Sequence, residues 1–291
     1  MLLNLGIIFI MSLFAAGKTS VQGGYGKKYV VTSGDTVLFN GLIFGSTALV
    51  FLCALGWNRP TAGTVLYAIG FGTLSCLYQW TYLSAMRCGS VSLTVMFSNF
   101  NLIVSMAIGI GYFKDSMNGF NILGVLLFAG AAYLIIIKKK DMKPVSVKWL
   151  VFATATLVVG GLMAVEMRFY RLNPYGNENK AFVIIAYIAA FFISMLMTGL
   201  YRLRKCEITI PMKKKLTWIC CIVPGTCLGV FQLLQLELIP RMDATTLYPL
   251  LNSLSIIISA LAGKFFLGDC LSKRQLAGMG VGIAAVVLVS V

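Results

Sequence analysis

The sequence predicts an all-α membrane protein with ten transmembrane helices, arranged as two inverted five-helix repeats. Three observations lead to this fold class. Of the 291 residues, 59% are hydrophobic and only 11% are charged, which is too few polar residues to cover a water-soluble domain. The apolar residues form runs of about 20, the length that crosses about 30 Å of hydrocarbon. Features of the first half also recur in the second half.

The ten apolar runs follow one another with only short polar turns between them, so almost nothing is left for a soluble domain. The runs are too long for barrel strands and do not alternate polar with apolar residues, which favours helices. The first run also allows a second interpretation, a signal peptide ending at "LFAAG", but it lacks the basic residues that precede such a segment. The runs lie near 2–22, 34–56, 62–84, 90–112, 118–137, 148–169, 181–201, 216–236, 244–266 and 272–291.

The charge is strongly positive, with 24 Lys and Arg against 9 Asp and Glu. Many of the basic residues lie in the turns at 137–143, 201–205 and 212–216. In a membrane protein such turns indicate the cytoplasmic face and its anionic lipids, rather than a nucleic-acid partner. Because most basic residues follow odd-numbered runs, the positive-inside rule predicts that both termini lie outside.

The sequence gives no sign of a metal site, a disulfide or another cofactor, and we expect none. Histidine is absent, and the eight cysteines contain no CxxC pair. Histidine is the commonest metal ligand and general base, so most enzyme chemistry loses its usual residue. We therefore do not expect the protein to be an enzyme.

The second half repeats the polar pattern of the first half. Residues 89–137 align without a gap with 243–291, pairing Asp115 with Asp269 at a helix junction where each is expected to cap the next helix. Polar side chains within the fourth run recur at the same spacing in the ninth, and such residues are costly in a bilayer. The paired stripes are Thr94, Ser98, Asn101 and Ser105, and Tyr248, Asn252, Ser255 and Ser259.

Shorter matches pair the remaining runs. "GTLSCLYQ" at 72–79 matches "GTCLGVFQ" at 225–232, which places Gln79 over Gln232 and Tyr82 over Gln235. Because five is an odd number, the second set of five helices enters the membrane from the opposite side. Inverted repeats of this kind commonly build transporters with a binding site between the halves.

The two repeats resemble the drug/metabolite transporter superfamily, in its ten-helix EamA-like family. The resemblance rests on "YLSAMRCGSVSLTVMFSNFNLIVSMAIGIGYFKDSMNGFNILG" and, more closely, on "LELIPRMDATTLYPLLNSLSIIISALAGKFFLGDCLSKRQLAG". It implies one repeat over 1–140 and another over 141–291. It also implies that both termini are cytoplasmic, in contrast to the charge count.

Polar residues on inward helix faces are the candidates for binding a substrate, because a hydrogen-bonding side chain facing lipid has no partner. The alternative is that these side chains bond neighbouring helices to one another. The resemblance favours a cavity lined by the third, fourth, eighth and ninth helices. The candidates are Gln79, Tyr82, Ser98, Asn101, Gln232, Gln235, Tyr248, Asn252 and Ser255.

Two charged residues within apolar runs, Lys18 and Glu166, are candidates for ion coupling. The alternative is that they reach the membrane surface, with Glu166 pairing with Arg168. The fourth and ninth runs lack a deep Lys or Arg, which phosphate-carrying members of the superfamily use to bind anions. This departure argues against sugar-phosphate and nucleotide-sugar substrates.

The predicted function is secondary active transport of small polar or amphipathic metabolites or drugs, in the direction of export. No GxxxxGK[ST] motif occurs, so an ion or substrate gradient would supply the energy. We expect a multi-pass protein of the cell (inner or plasma) membrane, either monomer or homodimer. The alternatives are a lipid-handling, flippase-like protein and an intramembrane enzyme suggested by "LGDC".

Overall fold

A computed structural model describes residues 2–56, 59–114, 119–136, 146–238, 244–268 and 272–289, and within them it contains eleven α-helices. Each predicted run coincides with one helix, except the fourth, which forms two. The helices are α1 (Leu2–Tyr29), α2 (Ser33–Leu55), α3 (Ala62–Cys88), α4 (Val91–Asn99), α5 (Asn101–Phe113), α6 (Gly119–Ile136), α7 (Val147–Arg171), α8 (Asn179–Leu203), α9 (Lys215–Leu238), α10 (Ala244–Phe266) and α11 (Lys273–Val289).

Six helical segments are long and apolar enough to cross a membrane, and they confirm an all-α, membrane-embedded protein. Large apolar side chains on the outside of the bundle fit a lipid environment; Leu66 and Phe265, for example, are 71% and 74% exposed. The count of ten spans stays a prediction. The six segments are Asn4–Tyr29, Ser33–Leu55, Val91–Gly111, Val147–Arg171, Asn179–Leu203 and Lys215–Gln235.

The fourth predicted run is interrupted at Phe100, between α4 and α5. Phe100 has φ −80° and ψ 3°, a bridge conformation that tightens the helix locally. Its N–H bonds to the Phe97 carbonyl, three residues back, at 3.2 Å. The break separates Thr94 and Ser98 on α4 from Asn101 on α5, so the predicted polar stripe is not one continuous helix face.

The helices before and after residue 140 are interleaved. α3 packs against α7 and α8, and α9 packs against α1 and α2. α10 contacts α1 and α4, and α6 lies along α11. Most of the helix–helix contacts are therefore formed between the first and second halves of the chain.

Two glycines allow close helix crossings. A Cβ added to Gly72 of α3 would lie 2.6 Å from the Ala186 carbonyl oxygen of α8. A Cβ added to Gly225 of α9 would lie 2.6 Å from the Ile43 carbonyl oxygen of α2. Because backbone atoms cannot rotate away as a side chain can, only glycine fits at these two positions.

A buried carboxylate fixes the beginning of α2 to the connection between α8 and α9. Asp35, which is 0% exposed, accepts hydrogen bonds from the Thr32 and Val31 amides of its own helix start. It also accepts from the amides of Thr209 and Ile210 at 2.6 and 3.1 Å, and from the Thr209 hydroxyl at 2.7 Å. Five donors therefore satisfy one carboxylate and hold the two halves of the chain together.

A second carboxylate makes a comparable contact at the other end of α2. Glu178, the residue before α8, accepts from the Thr61 amide at 3.0 Å and from the Thr61 hydroxyl at 3.3 Å. Thr61 precedes α3, so this contact also joins the two halves. α2, with its 23 residues, is about 35 Å long.

Candidate functional site

The candidate site, which we call the central cavity, has a volume of about 150 Å³ and is lined by residues of α1, α3, α4, α9 and α10. Helices from both halves of the chain contribute its walls. Cys227, Leu228 and Phe231 of α9, with Leu251 and Val95, form the apolar part. The other lining positions carry mostly polar or aromatic side chains, which sets this cavity apart from the lipid-facing surface.

The α3 wall is a pair of tyrosines, Tyr78 and Tyr82. They lie four residues apart on one helix face, where side chains are neighbours. Their rings stack with centroids 5.6 Å apart at an interplanar angle of 17°. Tyr82 is 3% exposed and Tyr78 is half-buried, so the pair forms an aromatic surface with two hydroxyl groups.

The α4 wall supplies Ser98 and Asn99. The Ser98 hydroxyl donates to the Val95 carbonyl at 2.7 Å, and the Asn99 Nδ2 donates to the same carbonyl at 3.0 Å. These bonds to the preceding turn use a donor of each side chain. The Asn99 Oδ1 remains able to accept a hydrogen bond, whereas the Ser98 hydroxyl also bonds to the hydroxyl groups of Tyr78 and Tyr82.

The α10 wall supplies Asn252, Ser255 and Ser259. The two serines are 7% and 3% exposed. Their hydroxyl oxygens are buried and have no hydrogen-bond partner within the described ranges. A buried hydroxyl left without a partner costs about 1–3 kcal/mol, so these serines favour a polar occupant in the cavity.

α1 brings one positive charge to the cavity through Lys18, next to Thr19. The Lys18 Nζ lies 5.9 Å from the centroid of the Tyr82 ring, within the range of a cation–π interaction. Among the described residues, none of those lining this cavity is acidic. The cavity therefore carries a net positive charge.

Five of the predicted site residues meet in this cavity: Lys18, Tyr82, Ser98, Asn252 and Ser255. Sequence reasoning had not selected Tyr78, Asn99, Thr19 or Ser259 as site residues. Ser259 already belongs to the polar stripe of the ninth run, and Tyr78 lies one helical turn from Tyr82, so helical spacing alone could have indicated both.

Gln79 takes part in a buried cluster of amides instead. It is 4% exposed, and its Oε1 accepts from the Gln22 Nε2 at 3.1 Å. The same nitrogen of Gln22 lies 3.2 Å from the Asn40 Oδ1. The cluster bonds α1, α2 and α3 to one another, and Asn40 borders a second cavity of about 360 Å³.

Among the described side chains, three other candidates do not line the central cavity. Asn101 packs against α7, where a Cβ on Gly160 would lie 3.1 Å from the Asn101 Cβ. The Gln232 Nε2 lies 3.5 Å from the Tyr187 hydroxyl, between α9 and α8. Gln235 is half-buried on α9. The side chain of Tyr248 lies outside the described residues, as do Asp115 and Asp269 at the two predicted junctions.

Glu166 lies between α7 and α3, away from the central cavity. Its carboxylate contacts Gly70, and one carboxylate oxygen, Oε2, is buried without a hydrogen-bond partner in the described structure. The Arg168 guanidinium, two residues away, lies 4.0 Å from the centroid of the Phe113 ring. The role of Glu166 in ion coupling stays a prediction.

Comparison with known proteins shows the fold class and goes no further. No family model matches the chain, and no curated protein matches it. Twenty-eight chains of solved structures match. One of them, described only as "Crystal structure of protein", is 14% identical, with a TM-score of 0.65, over 98% of this chain and 95% of that chain. At this identity the likeness concerns the fold alone.

Proposed function

We propose that the protein is a secondary active transporter of small polar or amphipathic metabolites. The observation that carries the proposal is the central cavity, whose polar side chains come from both halves of the chain: Lys18, Tyr82 and Ser98 from the first, Asn252 and Ser255 from the second. A site between the halves of an inverted repeat is where alternating access is expected to act.

We also propose two inverted repeats of the EamA-like type, and the packing of the helices supports a repeat. The proposed partners are α1 and α7, α2 and α8, α3 and α9, the α4–α5 pair and α10, and α6 and α11. When each helix is exchanged for its partner, the α3–α7 contact becomes α9–α1, α3–α8 becomes α9–α2, and α5–α7 becomes α10–α1, all of which occur. The same exchange leaves the α2–α8, α4–α10 and α6–α11 contacts unchanged, because the two helices in each contact are partners of each other.

The two close crossings support the same repeat at the level of single residues. Gly72 and Gly225 are equivalent in the alignment of 72–79 with 225–232. Each approaches a backbone carbonyl of the second helix of the opposite half, Ala186 on α8 or Ile43 on α2. Equivalent glycines therefore make equivalent contacts.

The size of the cavity favours small metabolites over drugs. At about 150 Å³ it is smaller than the roughly 300–1,000 Å³ that holds a drug-sized ligand. A substrate with few non-hydrogen atoms fits the conformation described.

The test is counterflow of labelled metabolites in liposomes that contain the purified protein. We expect saturable exchange that Asn252→Ala or Ser98→Ala reduces by about tenfold or more, because each substitution removes a polar contact in the cavity. Asn173→Ala is the matched control, since Asn173 bonds to the Phe169 carbonyl at the end of α7, outside the cavity.

The result of this measurement decides whether the cavity takes part in transport. Exchange that is lost in the cavity variants and kept in Asn173→Ala supports a transporter with this site. If exchange is unchanged in both Asn252→Ala and Ser98→Ala, and both proteins have normal thermal stability, the cavity does not take part in transport.

A further inference from the structure

We infer that the central cavity binds a small organic carboxylate, with Lys18 as the counter-ion. The inference rests on the proposed function, because it names the substrate class of that site. It depends on three features of the cavity: a single positive charge, two buried hydroxyl groups without partners, and an aromatic wall.

The positive charge of Lys18 is the first of these features. Lys18 lies on the cavity wall near Tyr82, and the described lining residues include no carboxylate to balance it. An ammonium group held away from bulk water within a bilayer is costly unless an opposite charge or several acceptors compensate it. An anionic substrate supplies that compensation, whereas a cationic substrate is repelled.

The serines of α10 supply hydrogen-bond donors for the same anion. The hydroxyl groups of Ser255 and Ser259 are more than nine-tenths buried, border the cavity and have no partner among the described residues. A hydroxyl can donate to either oxygen of a carboxylate. The cavity therefore contains both a charge and neutral donors suited to an oxyanion.

The number of charges favours a carboxylate over a phosphate. Phosphate groups are usually bound by several cationic donors, often the bidentate guanidinium of arginine. Of the described lining residues only Lys18 is cationic, and none is arginine. One lysine matches the single charge of a carboxylate.

The tyrosine pair favours an apolar or aromatic remainder on the substrate. The stacked rings of Tyr78 and Tyr82, with Phe231 and Leu251, form a surface against which a small ring or short chain can pack. The volume of about 150 Å³ limits this remainder to a few carbon atoms or one ring.

The test is calorimetric binding to the full-length protein, purified in detergent, with probes of nearly equal shape. The probes are benzoate, benzamide and benzylamine, which carry a negative, a neutral and a positive group, together with inorganic phosphate. The variants are Lys18→Gln, which removes the charge, and Lys18→Arg, which keeps it. Lys28→Gln is the matched control, since Lys28 lies at the exposed end of the same helix.

We expect benzoate to bind more tightly than benzamide, and benzylamine not to bind. Lys18→Gln should weaken benzoate binding about tenfold or more and leave benzamide binding nearly unchanged. Lys18→Arg should keep most of the affinity for benzoate, which a purely structural role for the ammonium group would not predict. Lys28→Gln should bind benzoate as the wild type does.

Other outcomes overturn the inference. Three results would each show that the cavity has no anion site. They are equal binding of the three ring probes, no binding of benzoate, and an equal effect of Lys18→Gln on benzoate and benzamide binding. Tighter binding of phosphate than of benzoate refutes the carboxylate in favour of a phosphate.

Failure of this inference is distinct from failure of the proposed function. Counterflow of neutral or cationic metabolites that Asn252→Ala abolishes and Lys18→Gln leaves intact supports a transporter without an anion site. Benzoate binding that depends on Lys18, without counterflow of any probe, supports the anion site and contradicts the transporter.

Discussion

Single side chains in this protein differ in whether their polar atoms are paired, and that difference separates structural residues from site residues. The Thr47 hydroxyl lies 3.0 Å from the carbonyl oxygens of both Ile43 and Gly225, across the contact of α2 with α9. The Ser255 hydroxyl is equally buried but has no partner within the described ranges. The first hydroxyl stabilises the fold, and the second is available to a ligand.

Removal of these two hydroxyl groups should therefore have opposite effects on stability. Thr47→Val, which keeps the shape of the side chain, is expected to lower the free energy of unfolding by about 1 kcal/mol, because a buried hydrogen bond is lost. Ser255→Ala should leave the free energy of unfolding unchanged or raise it. Thermal unfolding in detergent measures both, and a larger loss for Ser255→Ala would show that its hydroxyl is paired.

The residue scale also shows what sequence reasoning could find. The spacing of Asn252 and Ser255 on one uninterrupted helix was enough to place them together. Asn101 follows the break at Phe100, which the sequence does not announce with a Gly or Pro, so its place in the site stays a prediction. The depth of Lys18 within its run was visible, but whether it points to lipid, to water or to the cavity depends on packing with α3 and α9.

At the scale of the helices, close crossings depend on two glycines whose neighbours are backbone atoms. Gly72→Ala and Gly225→Ala should each lower the free energy of unfolding by about 1–3 kcal/mol, because the added methyl group forces the helices apart. Gly199→Ala is the control, since a Cβ at Gly199 of α8 meets no atom within 4 Å. It should be neutral or stabilising by up to about 1 kcal/mol, as expected for Gly to Ala in a helix.

Denaturant or thermal unfolding of the three variants provides the measurement. If Gly72→Ala destabilises and Gly225→Ala does not, the equivalence of the two crossings is lost. If Gly199→Ala is as damaging as the other two, the effect reflects something other than the close contact.

The contact at the start of α8 should depend on pH. The backbone amide of Thr61, with smaller contributions from the Thr64 and Thr61 side chains, lowers the pKa of Glu178 below its ordinary value. Because the folded-state pKa is lowered, the contact contributes stability above the ordinary carboxyl range and loses it as the pH falls through the lowered pKa. Glu178 is partly exposed, so the effect is small and decreases with added salt.

Melting temperatures of wild type and Glu178→Gln across the acidic range test this sign. The wild type should be the more stable near neutral pH, and the two curves should meet as the pH falls. A difference that persists below the pKa, or one that grows on acidification, would contradict the role given to the Glu178 carboxylate.

At the scale of the whole molecule, contacts between the halves hold both ends of α2. The basic segment 201–215 lies at the Asp35 end, so the positive-inside rule predicts that this end is cytoplasmic.

Composition and run length predicted the all-helical, membrane-embedded fold, because the bilayer as a solvent determines both the apolar composition and the length of each run. The interleaving of the halves was not predictable at this detail, since it depends on contacts such as Gly72 with Ala186.

The Asp35 contact holds the start of α2 to residues 209 and 210. Asp35→Asn replaces an acceptor of five hydrogen bonds by a side chain with only one acceptor oxygen. We expect a loss of about 2 kcal/mol or more in the free energy of unfolding and faster amide exchange over 207–212. Hydrogen-exchange mass spectrometry measures this, with Glu207→Gln as the exposed control; unchanged exchange in Asp35→Asn would show that the contact does not hold this end.

The proposed transport requires that one cavity, between the two halves, is reached in turn from each side of the membrane. Ser255→Cys in a variant whose eight cysteines are replaced by serine places a single thiol in the cavity. A membrane-impermeant thiol reagent is then applied from each side of oriented proteoliposomes, with and without benzoate. The account predicts labelling from both sides and protection by benzoate, whereas labelling from one side only, or none from either side, would contradict alternating access.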